Sequence, residues 1–333
     1  MQATPVTPRR VLVTGVAGFI GSHLAEALLA RGDEVVGVDA FVPTYDRARK
    51  QANLGGLLGA PRFRFVEADL RTDDLRPLLD GVEVVVNEAA MAGLPTSWTD
   101  APSYVECNLI GLARLVAASL QAGVSRFVQA STSSVYGVDA CGDETMPTRP
   151  VSPYGVSKLA AEHLVLAYTA NHGFPATILR YFSIYGPRQR PDMAYHRFVE
   201  RLRHGLPLEV YGDGRQSRSN TYVDDCVRGT VAAIDAAGVG EVYNLGGGVA
   251  LELHEAIELL GRELGVSPMI VTMPPRPGDQ RRTFADTGKA ADAFGYRAEV
   301  TPEAGLAAQV RWHLEELPGP QPPIAARLAQ RVS

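Results

Sequence analysis

"RVLVTGVAGFIG", residues 10–21, starts as an apolar run and ends in glycines at 15, 18 and 21. Val11, Leu12 and Val13 without polar alternation suit a strand buried on both faces. The G-x-x-G-x-x-G pattern is one residue longer than the usual dinucleotide fingerprint. Its physics is the same: glycine lets the chain turn tightly and lets a pyrophosphate approach backbone N–H groups where a helix begins. That helix is expected immediately, because Ile20, Leu24, Ala27 and Leu28 recur at i, i+4, i+7 and i+8 and share one face. Gly15, Gly18, Phe19, Ile20 and Gly21 therefore form a candidate cofactor loop. Glycine triplets also recur by accident, so the placement between a strand and an amphipathic helix carries the argument.

The alternation continues outward. "EVVGVDA", "FRFVEADL", "VEVVVNEAA", "SRFVQASTS" and "ATILRYFSIYG" are further apolar runs separated by amphipathic segments. This order predicts an α/β fold, a Rossmann-type doubly wound parallel sheet with right-handed crossovers. Ligands in such sheets bind beyond the carboxyl ends of the strands. Asp39 closes the second run, where a carboxylate accepts both ribose hydroxyls of NAD and repels the extra phosphate of NADP. A solvated loop acid is its competing reading. Asp69, followed by Leu70, closes the third run and could meet the adenine amine, although a strand-end Asp also caps helices.

Composition excludes several other classes. The chain has 333 residues, 46% hydrophobic and 21% charged, enough for one large or two modest domains. Net charge is −5 with no long basic run, which argues against a nucleic-acid or membrane-surface partner. Cys107, Cys141 and Cys226 are too few and too scattered for a disulfide framework or a metal site, which points to reduced thiols in a cytoplasm. "MQATPVTPRR" lacks an apolar core, and no stretch reads as the ~18 apolar residues of a membrane helix.

"SPYGVSKLAAEH", residues 152–163, raises a different question. Lys158 is one of three lysines in a chain that carries 29 arginines. Tyr-x-x-x-Lys arises by chance in roughly one such chain in ten, so the pair alone is only a hint. Ser152 suits an N-cap and Pro153 the first helical position, which puts Tyr154 and Lys158 on one helix face. A phenol with a pKa near ~10 is a poor base at neutral pH. A nearby ammonium and an oxidised nicotinamide would both stabilise its phenolate. Arginine supplies charge but not a compact, rotatable donor for ribose hydroxyls, which explains a retained lysine. Upstream, Thr132, Ser133 and Ser134 end a strand in "ASTSSVYG", where such clusters are usually turn formers.

Taken together, "TGVAGFIG", "ASTSSVYG", "SPYGVSK", "RYFSIYGPRQRPDM", "VYGDGRQSRSNTYVDD" and "RPGDQ" resemble the extended short-chain dehydrogenase/reductases. Within that family the likeness is to the NAD-dependent nucleotide-sugar epimerases and dehydratases. It runs from about residue 10 to about 315. The resemblance implies a tightly held NAD+, Tyr154 as base, Lys158 on the nicotinamide ribose and Thr132 sharing the substrate hydroxyl. It further implies that Arg218 and Arg276 grip a nucleotide diphosphate and that Asp279 meets its ribose. Arginine is a natural diphosphate clamp. The family's first step makes a 4-keto sugar. Dehydratases then use an Asp-Glu pair, and decarboxylases a Glu, at the positions where this chain has Ser133 and Ser134. An epimerase needs no such acid.

Galactose-type epimerases usually have Asn at position 183, whereas glucuronic acid 4-epimerases carry a small hydroxyl residue and "RPDMA"; here the residues are Ser183 and "RPDMA". Arg190 is a candidate bidentate partner for a C6 carboxylate, with a loop or subunit-surface arginine as its alternative. Anchoring that carboxylate would suppress CO2 loss from a β-keto acid. The expected substrate is UDP-glucuronic acid, with UDP-glucose as runner-up. Relatives usually show His-Leu where this chain has Asn87-Glu88, and Asp-Phe where it has Ser219-Asn220. The expected organisation is an NAD-binding domain of residues 1–182 plus about 219–248. A smaller mixed α/β sugar-binding domain would comprise 183–218 plus about 249–315, with 316–333 a loose tail. A homodimer through paired helices is implied by the resemblance.

Overall fold

The structure, a computed structural model, describes residues 8–276 and 278–320. Seven parallel strands form the main sheet. Their spatial order is Val242–Leu245, Ala176–Tyr181, Arg126–Thr132, Val84–Asn87, Arg10–Thr14, Glu34–Asp39 and Phe63–Glu67. Every run read as a strand is one. The order reverses between Arg10–Thr14 and Val84–Asn87, which opens a crevice at the strands' carboxyl ends.

Alternation along each strand explains the double covering. Val11, Val13, Val84 and Val86 face a core shared with Leu24 and Leu28 of the helix Phe19–Arg31 and with Val227 and Ile234 of the helix Val223–Ala236. Leu12 and Val85 face the opposite core, against Leu112, Leu115 and Val116 and against Ala161 and Val165 of the helix Pro153–His172. Phe63–Glu67 departs from the expected two-sided burial. It is an edge strand with one neighbour and half-exposed side chains.

The smaller part is interleaved with the larger. Leu251–Glu252, Ser217–Arg218, Arg282–Ala285 and Asp139–Gly142 make a mixed four-stranded sheet. Asp139–Gly142 lies inside residues 1–182, so that span also contributes a strand to the second sheet. The segment from 316 is not loose at its start. Glu316 ends the helix Pro302–Glu316, and the carbonyls of Leu317 and Pro320 accept hydrogen bonds from Arg203. Residues 321–333 lie outside the described residues.

Contrary to the sequence reading, the helical run Ala101–Ala122 is long and apolar enough to cross a bilayer by composition. Here it packs Leu112, Leu115 and Val116 onto the sheet, and its buried Asn108 is bonded to both backbone groups of Met91.

One polar cluster joins the two parts beside the crevice. Buried His196 has Nδ1 2.8 Å from the Gln189 carbonyl and Nε2 2.9 Å from Nη1 of Arg49. A guanidinium only donates, so Nε2 accepts and Nδ1 carries the proton. Burial, His313 and Arg49 then push the His196 pKa down to about 3. Between pH 6.5 and about 3 the unfolded chain binds a proton here that the folded one refuses, so stability falls as pH falls through that window. The thermal midpoint should drop across it, by an amount set by about 1.4 kcal/mol per pKa unit. His196→Gln should flatten that limb of a midpoint-against-pH curve. An unchanged slope would contradict the assignment.

Candidate active site

The crevice is one continuous cleft of about 520 Å³ whose walls come from both sheets. Its floor begins at the glycine loop. Gly15 has φ +68°, and a Cβ on Gly21 would sit 2.3 Å from the Gly15 carbonyl oxygen, so loop and helix touch backbone to backbone. The N-cap Gly18 brings no capping side chain to the helix start, which leaves its first N–H groups facing the cleft.

A row of side chains then crosses three strand ends in register. Thr14 Oγ1 donates to Asn87 Oδ1 (2.6 Å), Asn87 Nδ2 to Gln129 Oε1 (2.9 Å) and Gln129 Nε2 to the Ala130 carbonyl (2.7 Å). That carbonyl also accepts from Lys158 Nζ at 2.6 Å. Asn87, a departure from the family pattern, is thereby explained as the central link.

Ser152 caps its helix through Gly155 N–H, with Pro153 in the first turn, as the sequence indicated. The Tyr154 hydroxyl lies near Thr132, which favours its phenolate, and its ring meets Tyr104 edge-on. Burial raises the Tyr154 pKa, opposed by Thr132 and the Arg190 charge and reinforced by Glu88. Burial pushes Lys158 down to about 8, against the pull of Glu88 and Glu162. One ammonium proton of Lys158 is spent on Ala130, and two remain for a ligand. One turn beyond Lys158 on this helix, Glu162 accepts from Ser131 Oγ (2.5 Å) and from Arg180 Nε and Nη2 (3.0 and 2.7 Å), all buried.

Every sequence-predicted site residue lines this cleft, though several are engaged differently than expected. Asp39 accepts from Ala17 N–H (3.1 Å) and Phe41 N–H (2.8 Å), with Lys50 Nζ 4.0 Å away. A carboxylate retains lone pairs beyond those two bonds. Asp69 is gripped by Arg71 through Nε and Nη2 and accepts the Arg71 N–H, so its oxygens serve the loop first. Leu70 lies beside it. Ser133 is turned to Gln280, its hydroxyl 3.2 Å from Oε1, while Ser134 donates its N–H to Thr132 Oγ1. Ser183 holds φ +46°. Arg190 was read as a free bidentate fork, but that fork is filled by Asp192 (3.0 and 2.9 Å). At the far end, Arg218 donates to the Gln280 carbonyl (3.0 Å), Arg276 stacks on Tyr211 at 3.3 Å, and both arginines act on Asp279.

Sequence reasoning missed Lys50, Tyr181, Asp192 and Gln280. Lys50 had a signal, since it is another of the three lysines. Among the described residues no cluster could hold a metal ion.

Residues 11–246 match the family model "NAD dependent epimerase/dehydratase family". The chain belongs to that family. The cleft fits its dinucleotide: a loop with glycine at 15, 18 and 21, Asp39 at the second strand end and two ammonium protons of Lys158 not spent on the sheet. Among relatives, the chain is 38% identical over 307 residues to the uncharacterised UDP-glucose epimerase YtcB of Bacillus subtilis, covering 91% of this chain and 97% of that one. It is 36% identical to the dTDP-glucose 4,6-dehydratase of Streptomyces griseus, covering 91% and 93%. The UDP-glucuronic acid 4-epimerase of Bacillus cereus, solved with UDP-glucuronic acid and NAD, superposes with a TM-score of 0.89 at 40% identity, covering 91% and 98%.

Removing Glu162 would leave the Arg180 guanidinium buried without its counter-charge. Glu162→Ala should lower stability by about 3–5 kcal/mol and the thermal midpoint by roughly 10 °C. A midpoint within a degree or two of wild type would show that the pair is not structural.

Proposed function

We propose that the protein interconverts UDP-glucuronic acid and UDP-galacturonic acid at C4 through a 4-keto intermediate. One observation carries the reading. The cleft joins Tyr154, Thr132 and the buried Lys158 at one end to a two-arginine, one-carboxylate cluster at the other, with uncharged Ser133 and Ser134 beside Thr132. Overall identity does not choose between epimerase and dehydratase, because both occur at similar distance. The serines do, since a hydroxyl is a poor proton shuttle for elimination across C5–C6.

In this reading Arg218 and Arg276 hold the diphosphate, Asp279 takes the uridine ribose, and Asp39 the adenosine ribose. Gly15 to Gly21 cradle the pyrophosphate, and Asp69 and Leu70 border the adenine. Lys158 anchors the nicotinamide ribose with its two remaining protons. Tyr154 takes the sugar 4-hydroxyl proton while Thr132 orients that oxygen. When bound, the oxidised nicotinamide accepts hydride from C4 and returns it to either face of the keto sugar. Arg190 spends two of its five N–H donors on Asp192, and the others are available to a C6 carboxylate. The division at 1–182 plus about 219–248 against 183–218 plus about 249–315 stands as our working one, with strand Asp139–Gly142 exchanged. Val105, Ile110 and Val156 are exposed on helices 101–122 and 153–172, which supports a homodimer through those helices. A cytoplasmic location is consistent with three unpaired cysteines.

The test is incubation of purified protein with UDP-glucuronic acid, without added NAD+, and separation of products by chromatography and mass. The expected product is UDP-galacturonic acid of unchanged mass. UDP-pentose with CO2 would make the protein a decarboxylase, and turnover of UDP-glucose alone would remove the carboxylate site. Tyr154→Phe should lower kcat by about 10²–10⁴ without changing the fold. Arg190→Gln should raise KM for UDP-glucuronic acid roughly tenfold or more, the value of a lost charge-assisted bond, and leave UDP-glucose binding unaffected. Equal effects on both sugars would show that Arg190 does not read the carboxylate.

A further inference from the structure

Glu88 follows the strand Val84–Asn87 in the floor of the cleft, and the reaction above gives it no role. Its Oε1 lies 2.7 Å from the Tyr181 hydroxyl, which lies 2.8 Å from Thr230 Oγ1, itself 2.8 Å from the Cys226 carbonyl. Three contacts link four groups. With Glu88 ionised, Tyr181 and Thr230 supply two protons for those three contacts, and one pair of oxygens meets lone pair to lone pair. With Glu88 protonated, the acid donates to Tyr181, Tyr181 to Thr230 and Thr230 to the carbonyl. Every contact then has its proton. The Cys226 thiol also reaches Tyr181 and Thr230, but it is a weak donor.

Positive charge pulls the other way. Lys158, from the helix Pro153–His172, favours the Glu88 carboxylate and is itself stabilised by it. Tyr154 from the same helix and Tyr181 from the strand Ala176–Tyr181 feel that negative charge, as does Cys226 from the helix Val223–Ala236. Glu162 adds a second negative influence on Lys158. Burial leads this balance and pushes Glu88 up to about 7.

We propose that Glu88 is a switchable counter-charge, holding its proton in the free cleft on the acid side of neutrality and ionised when a cationic nicotinamide enters beside Lys158. The inference rests on the NAD-dependent reading above. The balance is one proton: it leaves the carboxyl for bulk water through the cleft when oxidised cofactor binds, and it stays in place when reduced cofactor binds. Glu88 is a positioning residue acting through charge, and it biases the site toward the oxidised form with which the reaction starts.

Calorimetric titration of the cofactor-stripped full chain with NAD+ and with NADH, in two buffers of different ionisation heat, tests this. At pH 6, where Lys158 stays charged, wild type should release a fraction of a proton with NAD+ and none with NADH. Glu88→Gln should abolish it and lower the NAD+ to NADH affinity ratio roughly tenfold, the scale of one partly desolvated charge pair. Release that persists in E88Q, or an unchanged ratio, would overturn the proposal. Should E88Q fail to fold, infrared difference spectra of wild type decide: loss of a carboxylic-acid band on NAD+ addition supports it, and no such loss overturns it. Both readouts report binding, so proton-linked NAD+ binding without sugar turnover would sink the epimerase reading and leave Glu88 standing.

Discussion

The hydrogen-bonded row across the strand ends is the constraint on which the cleft depends. Thr14, Asn87 and Gln129 stand level because their strands pair in register, and the row ends on the carbonyl that holds Lys158. At its other end Thr14 Oγ1 also accepts the Ala89 N–H, the backbone against which Gly15 packs. A shift in one strand would therefore move the glycine loop and the lysine together. Buried amides and hydroxyls of this kind are tolerated only when each is satisfied, and here each link is.

Charge in the cleft is arranged around that frame. Burial disfavours both the Tyr154 phenolate and the Lys158 ammonium, and neighbours compensate. The sequence reading assigned the correction at Tyr154 to Lys158 together with an oxidised nicotinamide. In the structure Thr132 and the Arg190 charge oppose burial there, while Lys158 points to the sheet. Gln280 adds a mechanical tie. It bonds Ser133 and Gly137 in the turn after the strand Arg126–Thr132, and its carbonyl receives Arg218. Arg218 and the turn Ser133–Gly137 are thus parts of one hydrogen-bonded unit.

The parts legible in sequence were those with local signatures. Strands announced themselves as apolar runs, the glycine loop by its spacing, and Tyr154 and Lys158 by a helix N-cap and a rare lysine. The interleaving of Asp139–Gly142 was not legible, because strand pairing across 143 residues leaves no local pattern. Nor was the filling of side-chain valences: that Asp192 takes the Arg190 fork, Arg71 takes Asp69 and Gln280 takes Ser133 follows from loop conformation and long-range approach. Lys50 was missed for a different reason, since its neighbour Asp39 is eleven residues away and shares no element with it.

In the proposed reaction C4 is oxidised and reduced again within one site. UDP-glucuronic acid carrying deuterium at C4 tests it directly when converted in ordinary water and the product's isotope content is read by mass spectrometry and proton NMR. Deuterium retained at C4 of UDP-galacturonic acid is the predicted result. Replacement of that deuterium by solvent hydrogen would rule out hydride return within the site.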